Sequence, residues 1–93
     1  MNTAYSEHII NENEVLRVFT PDVHWCELKW HYDEEDRIVE VLSENDWKFQ
    51  FDNKLPENMD LWKKIYIKKG VYHRVIKGKS SLVVKIGKIK GDI

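Results

Sequence analysis

Alternation of apolar and polar residues is the most regular feature of this chain. From Trp47 to Asp52 it runs without a break, with Trp47, Phe49 and Phe51 on one side and Lys48, Gln50 and Asp52 on the other. A period of two places one face of a strand against a core and the other in water. Six further runs are rich in β-branched and aromatic residues: Val15 to Phe19, Val23 to Tyr32, Arg37 to Ser43, Lys63 to Lys68, Val71 to Ile76 and Leu82 to Ile89. Turn signals separate them at Asp52-Asn53, Leu55-Pro56-Glu57-Asn58, Lys69-Gly70 and Lys77-Gly78-Lys79-Ser80-Ser81. No window carries a long amphipathic helix. Residues 1–14 are polar. Ser6 can cap a short helical turn over Glu7 to Asn11, with a mobile arm or an edge strand as the alternatives. The pattern predicts an all-β fold of about seven or more short antiparallel strands, a sandwich or barrel, in one domain over residues 15–93 behind the polar N-terminal arm.

Composition narrows this only a little. The 93 residues hold 42% apolar and 33% charged side chains, the balance of a folded, water-exposed domain. No apolar run is long enough for a membrane-spanning helix, and no signal-peptide pattern opens the chain. A single cysteine, Cys26, excludes an internal disulfide framework, and a reduced cytoplasmic setting is the expectation.

Charge changes the picture more. The net charge of −1 conceals fifteen acids and five bases in residues 1–60, against ten bases and one acid, Asp92, in residues 61–93. The basic half is no tail, since its lysines alternate with apolar residues, as in Lys64-Ile65-Tyr66-Ile67-Lys68. They are expected on solvent faces of strands that pair with acidic ones. Nucleic acid is not the expected partner. It would require lysines gathered on one face with aromatics to stack bases, for which Trp62, Tyr66 and Tyr72 are available. A thin core and abundant Trp and Tyr predict a homodimer.

Residues 60–78 include Ile65-Tyr66-Ile67, then Gly70 and His73, and this segment resembles the second conserved motif of the cupins, small jelly-roll barrels. Trp62 stands at that motif's first Gly, Lys68 at its Pro and Lys77 at its Asn. The first cupin motif, His-x-His followed after three or four residues by Glu, is similar to the stretch from Trp30 to Leu42. His31 serves as one His, and Lys29 stands in place of the first. Counting back from Val41-Leu42 puts Arg37 at the Glu position, whereas counting from His31 selects Glu35. The resemblance implies a cupin-like double-stranded β-helix. It also suggests a phage-encoded relative as one origin.

The candidate site residues follow from both lines. His73 lies between Val71 and Val75 on the apolar face of its strand and so points inward. Arg37 shares a face with Val39 and Val41. A buried guanidinium needs a counter-ion, supplied either by an anionic ligand or by one of the acids from Asp33 to Asp36. With His31 these residues form the expected ligand site: Arg37, His73 and His31. No metal is expected, because the resemblance implies three His and a carboxylate and only His31, Glu35 and His73 can be assigned. Those three are the set a divalent metal would use. His24 and Cys26 face away from His31 and give no convergent soft-metal site. No phosphate loop, hydrolase elbow or HExxH motif is present.

The expectation is a non-catalytic cupin-like protein that holds a small anionic ligand or a partner protein. A metal-dependent cupin enzyme, an isomerase or oxygenase, is the alternative, and a phage-type protein acting on a host factor is the third.

Overall fold

A computed structural model describes residues 5–22 and 28–89. Eight strands run through them: β1 (Ser6–Ile9), β2 (Glu14–Phe19), β3 (Asp36–Val41), β4 (Lys48–Phe51), β5 (Glu57–Asn58), β6 (Lys64–Ile67), β7 (His73–Ile76) and β8 (Leu82–Ile89). They form a five-stranded sheet in the order β1-β2-β8-β3-β6 and a three-stranded sheet in the order β5-β4-β7. Every pairing is antiparallel. Among the described residues no helix is long and apolar enough to cross a membrane.

The two sheets enclose the core because their inner faces carry the apolar member of each alternating pair. Strand β8 reads Leu82, Val84 and Ile86 inward, and β3 reads Val39 and Val41 inward. Strand β6 contributes Ile65 and Ile67, and β4 contributes Phe49. Trp47, only 1% exposed, packs against Phe19 with ring centroids 5.7 Å apart. Its indole N–H donates to the Ser80 carbonyl at 2.6 Å, so the one polar atom it buries has a partner.

Several boundaries follow from turn chemistry. Asn53 takes a left-handed φ of 64° in the turn after β4, a conformation Asn tolerates. Gly70 does the same at 79° before β7. Trp62 has a φ of 72°, which accounts for the Gly that the cupin pattern carries at that place. The left-handed backbone is kept here, although the residue has a bulky side chain.

Three segments differ from the sequence expectation. Ser6–Ile9 is the edge-strand alternative, paired with β2 from Ser6 opposite Val18 to Ile9 opposite Val15. Glu57–Asn58 falls in a segment read as a turn, yet it forms a two-residue strand beside β4. Of the long strand expected from Val23 to Tyr32, residues 23–27 lie outside the described residues. In the remainder only His31 pairs, as an isolated bridge to His73. The Asp33 carbonyl accepts instead from the Gly70 N–H at 3.0 Å.

Candidate functional site

One end of the sandwich is closed by Trp47 and Leu82. Polar side chains enter the core at the other. Strand β3 begins there at Asp36, β7 begins there at His73, and β4 ends there at Phe51 opposite His73.

His31 and His73 exchange both backbone hydrogen bonds, at 3.0 and 2.9 Å, so their side chains leave the bridge on the same side. The ring centroids are 4.4 Å apart. Each ring is fixed in the same way. The Nδ1 of His31 bonds the Lys29 carbonyl at 2.8 Å, and the Nδ1 of His73 bonds the Val71 carbonyl at 2.9 Å. A carbonyl only accepts, so each Nδ1 carries a proton, and the bond fixes the orientation of the ring. Phe49 stacks on His73 at 5.5 Å and completes its wall.

Asp33 joins them from the loop before β3. Its Oδ2 lies 3.3 Å from His73 Nε2, and its Oδ1 lies 3.2 Å from an Arg37 guanidinium nitrogen. Donor atoms of His31, Asp33 and His73 all lie within 4.8 Å of one another. Asp33 and His73 are both buried. Burial alone would raise the Asp33 pKa. The hydrogen bond with His73 and the charges of Arg37, His73 and His31 outweigh it and hold the carboxyl below its ordinary 3.8.

The chemistry of this cluster is that of a buried carboxylate between two imidazoles and a guanidinium. A carboxylate only accepts, so in its contact with Asp33 Oδ2 the His73 Nε2 donates a proton. A proton can bridge one pair. A metal ion can join His31, Asp33 and His73, and two imidazoles with one carboxylate suit Zn, Fe(II) or Mn(II). The cavity they line offers about 40 Å³ to water-sized occupants. A single water needs roughly 10–15 Å³ on that measure, so the space suits an ion with a water or two. Apolar side chains such as Val39, Ile67 and Ile86 form most of its remaining wall, together with Arg17 and Arg37.

Arg37 is placed inward, as its register with Val39 requires, and is 18% exposed. Its Nε and one terminal nitrogen both reach Glu35 Oε2 at 2.7 Å, and the other terminal nitrogen meets Asp33. The guanidinium is therefore matched by two acids of the chain. Glu35, the carboxylate assigned to a metal on sequence spacing, faces Arg37, and Asp33 holds the position beside the two histidines. His24 and Cys26 lie outside the described residues.

Asp33 was read in the sequence only as a counter-ion for Arg37. The signal that could have found it is the His31-x-Asp33 spacing, which puts both side chains on one face of an extended segment. It also aligns the first cupin motif without a gap. With His31 at the first His, Asp33 takes the second, and four positions on Arg37 takes the Glu.

No family model matches the chain, and no curated protein matches it. Solved structures do. A cupin domain from Bordetella pertussis Tohama I superposes with a TM-score of 0.61 at 17% identity, over 92% of this chain and 92% of that one. The fold is cupin-like. The DMSP lyase DddQ from Ruegeria pomeroyi DSS-3 matches with a TM-score of 0.71 at 11% identity, covering 86% of this chain. FeII HppE matches at 0.61 and 14%, covering 82%. The present chain spans 38% of the DddQ chain and 41% of the HppE chain. At these identities the likeness establishes the all-β jelly roll and nothing finer.

Proposed function

We propose that this cupin-like domain binds one divalent transition metal through His31, Asp33 and His73 and presents its open coordination positions to a small ligand. The observation that carries this reading is the convergence of two Nδ1-protonated imidazoles on a buried carboxylate. A metal ion there would take the place of the proton that His73 shares with Asp33. Arg37 does not oppose the metal, because Glu35 offsets its charge and Asp33 Oδ2 stays directed at the histidines. When bound, the metal would supply Lewis acidity or redox chemistry in a cavity lined by apolar side chains and by Arg17 and Arg37. The residues orient the ligands and exclude water. The larger structural neighbours include a DMSP lyase and an FeII protein, which supports the metal-dependent alternative over purely non-catalytic binding.

The deciding experiment is calorimetric titration of chelator-treated protein with Zn(II), Mn(II) and Fe(II) under anaerobic conditions. One metal per chain is expected for at least one ion, abolished in Asp33→Asn and His73→Ala. Absence of saturable binding for all three ions would overturn the proposal.

A further inference from the structure

Residues on either side of the two histidines point the opposite way, out of the sheet. Trp30 and Tyr32 flank His31, and Tyr72 and Arg74 flank His73. Because His31 and His73 are bridge partners, these four side chains form one surface, with Gln50 of β4 beside Arg74. The Arg74 guanidinium lies 4.8 Å over the Trp30 ring, and its Nε donates to Gln50 Oε1 at 2.9 Å. Tyr32 and Tyr72 meet edge to face with centroids 5.2 Å apart. Trp30, Tyr32 and Tyr72 are 42, 48 and 46% exposed. Half-exposed aromatics are costly in water, and gathering them in one place marks a binding surface.

The charge around this platform selects its occupant. The segments 28–32, 48–54 and 68–77 carry Lys29, Lys48, Lys54, Lys68, Lys69, Arg74 and Lys77 against Asp52, with the exposed Glu34 two residues beyond Tyr32. Of the neighbouring acids, Asp33 and Glu35 are paired with Arg37 and Asp36 accepts from the Lys69 N–H. At the far edge of the sheet, Glu57 is paired with Lys63 at 2.7 Å. A second copy placed on this face by a two-fold axis would set cations against cations. An acidic peptide would answer the charge and leave the rings without flat partners. A single-stranded nucleic acid supplies one anion and one planar apolar face per nucleotide, which is what this surface lacks.

We propose that the outer face around Trp30, Tyr32, Tyr72 and Arg74 binds single-stranded nucleic acid by base stacking, with the surrounding lysines tracking the phosphates. Of the aromatics that the sequence offered for this role, only Tyr72 belongs to the surface. Trp62 and Tyr66 project elsewhere, Tyr66 from β6 of the other sheet. The platform lies outside the cavity and does not depend on metal.

The test is fluorescence anisotropy with labelled dT12 and U12 on the whole chain, with a duplex of equal length and poly-glutamate as competitors. Saturable binding is expected, with log K falling by about 0.7 per phosphate contacted for each decade of salt. Trp30→Ala and Tyr72→Ala should each weaken it roughly tenfold or more, and Tyr72→Phe should restore it, since the ring is what stacks. Tyr66→Ala, an exposed Tyr among lysines on the other sheet, should leave it unchanged. Circular dichroism of each variant separates loss of binding from loss of fold. No binding in ~50 mM salt would overturn the proposal, as would equal losses in Tyr66→Ala and Tyr72→Ala. Competition by duplex or poly-glutamate as strong as by the single strand would also overturn it, since charge alone or an acidic protein would then be the partner.

Discussion

Asp33 and Asp46 sit at opposite ends of the same sandwich, and both are held below the ordinary carboxylate pKa, but by different means. Asp46 accepts the backbone N–H groups of Lys79 and Ser80 and the Ser80 hydroxyl, at 2.9 to 3.0 Å, and is lowered to about 2. Its oxygens are saturated by donors that belong to the fold. Asp33 is buried, has one oxygen on Arg37, and turns the other to the His73 imidazole, a partner whose proton a metal can displace. At the Asp46 end the partners are backbone and hydroxyl donors, whereas at the Asp33 end they are a guanidinium and an imidazole, the second of which is a group that can also bind a metal.

The contrast breaks most severely if the closed end is opened. Trp47→Ala removes a side chain that is 1% exposed, and the expected loss is about 3–5 kcal/mol of stability. Chemical denaturation would measure it. If the two ends are independent, the metal affinity of the folded fraction stays the same.

Gly78→Ala comes next. A Cβ there would overlap the Asp46 carboxylate and stand 2.8 Å from the Asp46 backbone carbonyl carbon, so backbone must move. A loss of about 1–3 kcal/mol is expected from overpacking, read as a lower urea midpoint with an unchanged slope.

Legibility in the sequence followed the same division. The strand from Leu82 to Ile89 was delimited correctly, and Trp47, Phe49 and Phe51 were set on one face, because a buried apolar face imposes period two. His73 and Arg37 were placed inward by the same periodicity. Asp33 was not singled out, because it opens the run Asp33-Glu34-Glu35-Asp36, and a run of acids reads as solvated surface. What distinguishes it is tertiary, namely the Gly70 N–H on its carbonyl and the bridge that brings His73 across. Strand β1 was only one of three alternatives for residues 1–14, for a related reason. All four of its residues are exposed, so no apolar pattern marks it, and its pairing with β2 is a backbone matter.

Acid titration sharpens the comparison. Both folded-state pKa values lie below the unfolded 3.8, so each carboxylate stabilises the fold above that value. The contribution of Asp46 is lost as pH falls from about 3.8 through about 2. The melting temperature should therefore fall steeply across this window, and Asp46→Asn should flatten that part of the curve. An equally steep curve in Asp46→Asn would count against saturation as the source of the shift.

A smaller effect is expected at Glu35. Glu35→Gln leaves Arg37 with Asp33 as its remaining acid and removes a negative charge close to the cluster. Both changes disfavour a bound cation, and metal affinity should drop about tenfold, within the range for residues that support metal ligands. An unchanged affinity would mean that Arg37 plays no part in orienting Asp33.

The most direct test of the central claim pairs the two aspartates. Asp33→Asn and Asp46→Asn would be purified without chelator beside the parent protein, and metal content and melting temperature measured on the same samples. The account predicts close to one transition metal per chain in the parent and in Asp46→Asn, with Asp46→Asn melting earlier. It predicts a folded but metal-free Asp33→Asn. Metal well below one per chain in the parent, or retained in full by Asp33→Asn, would contradict it.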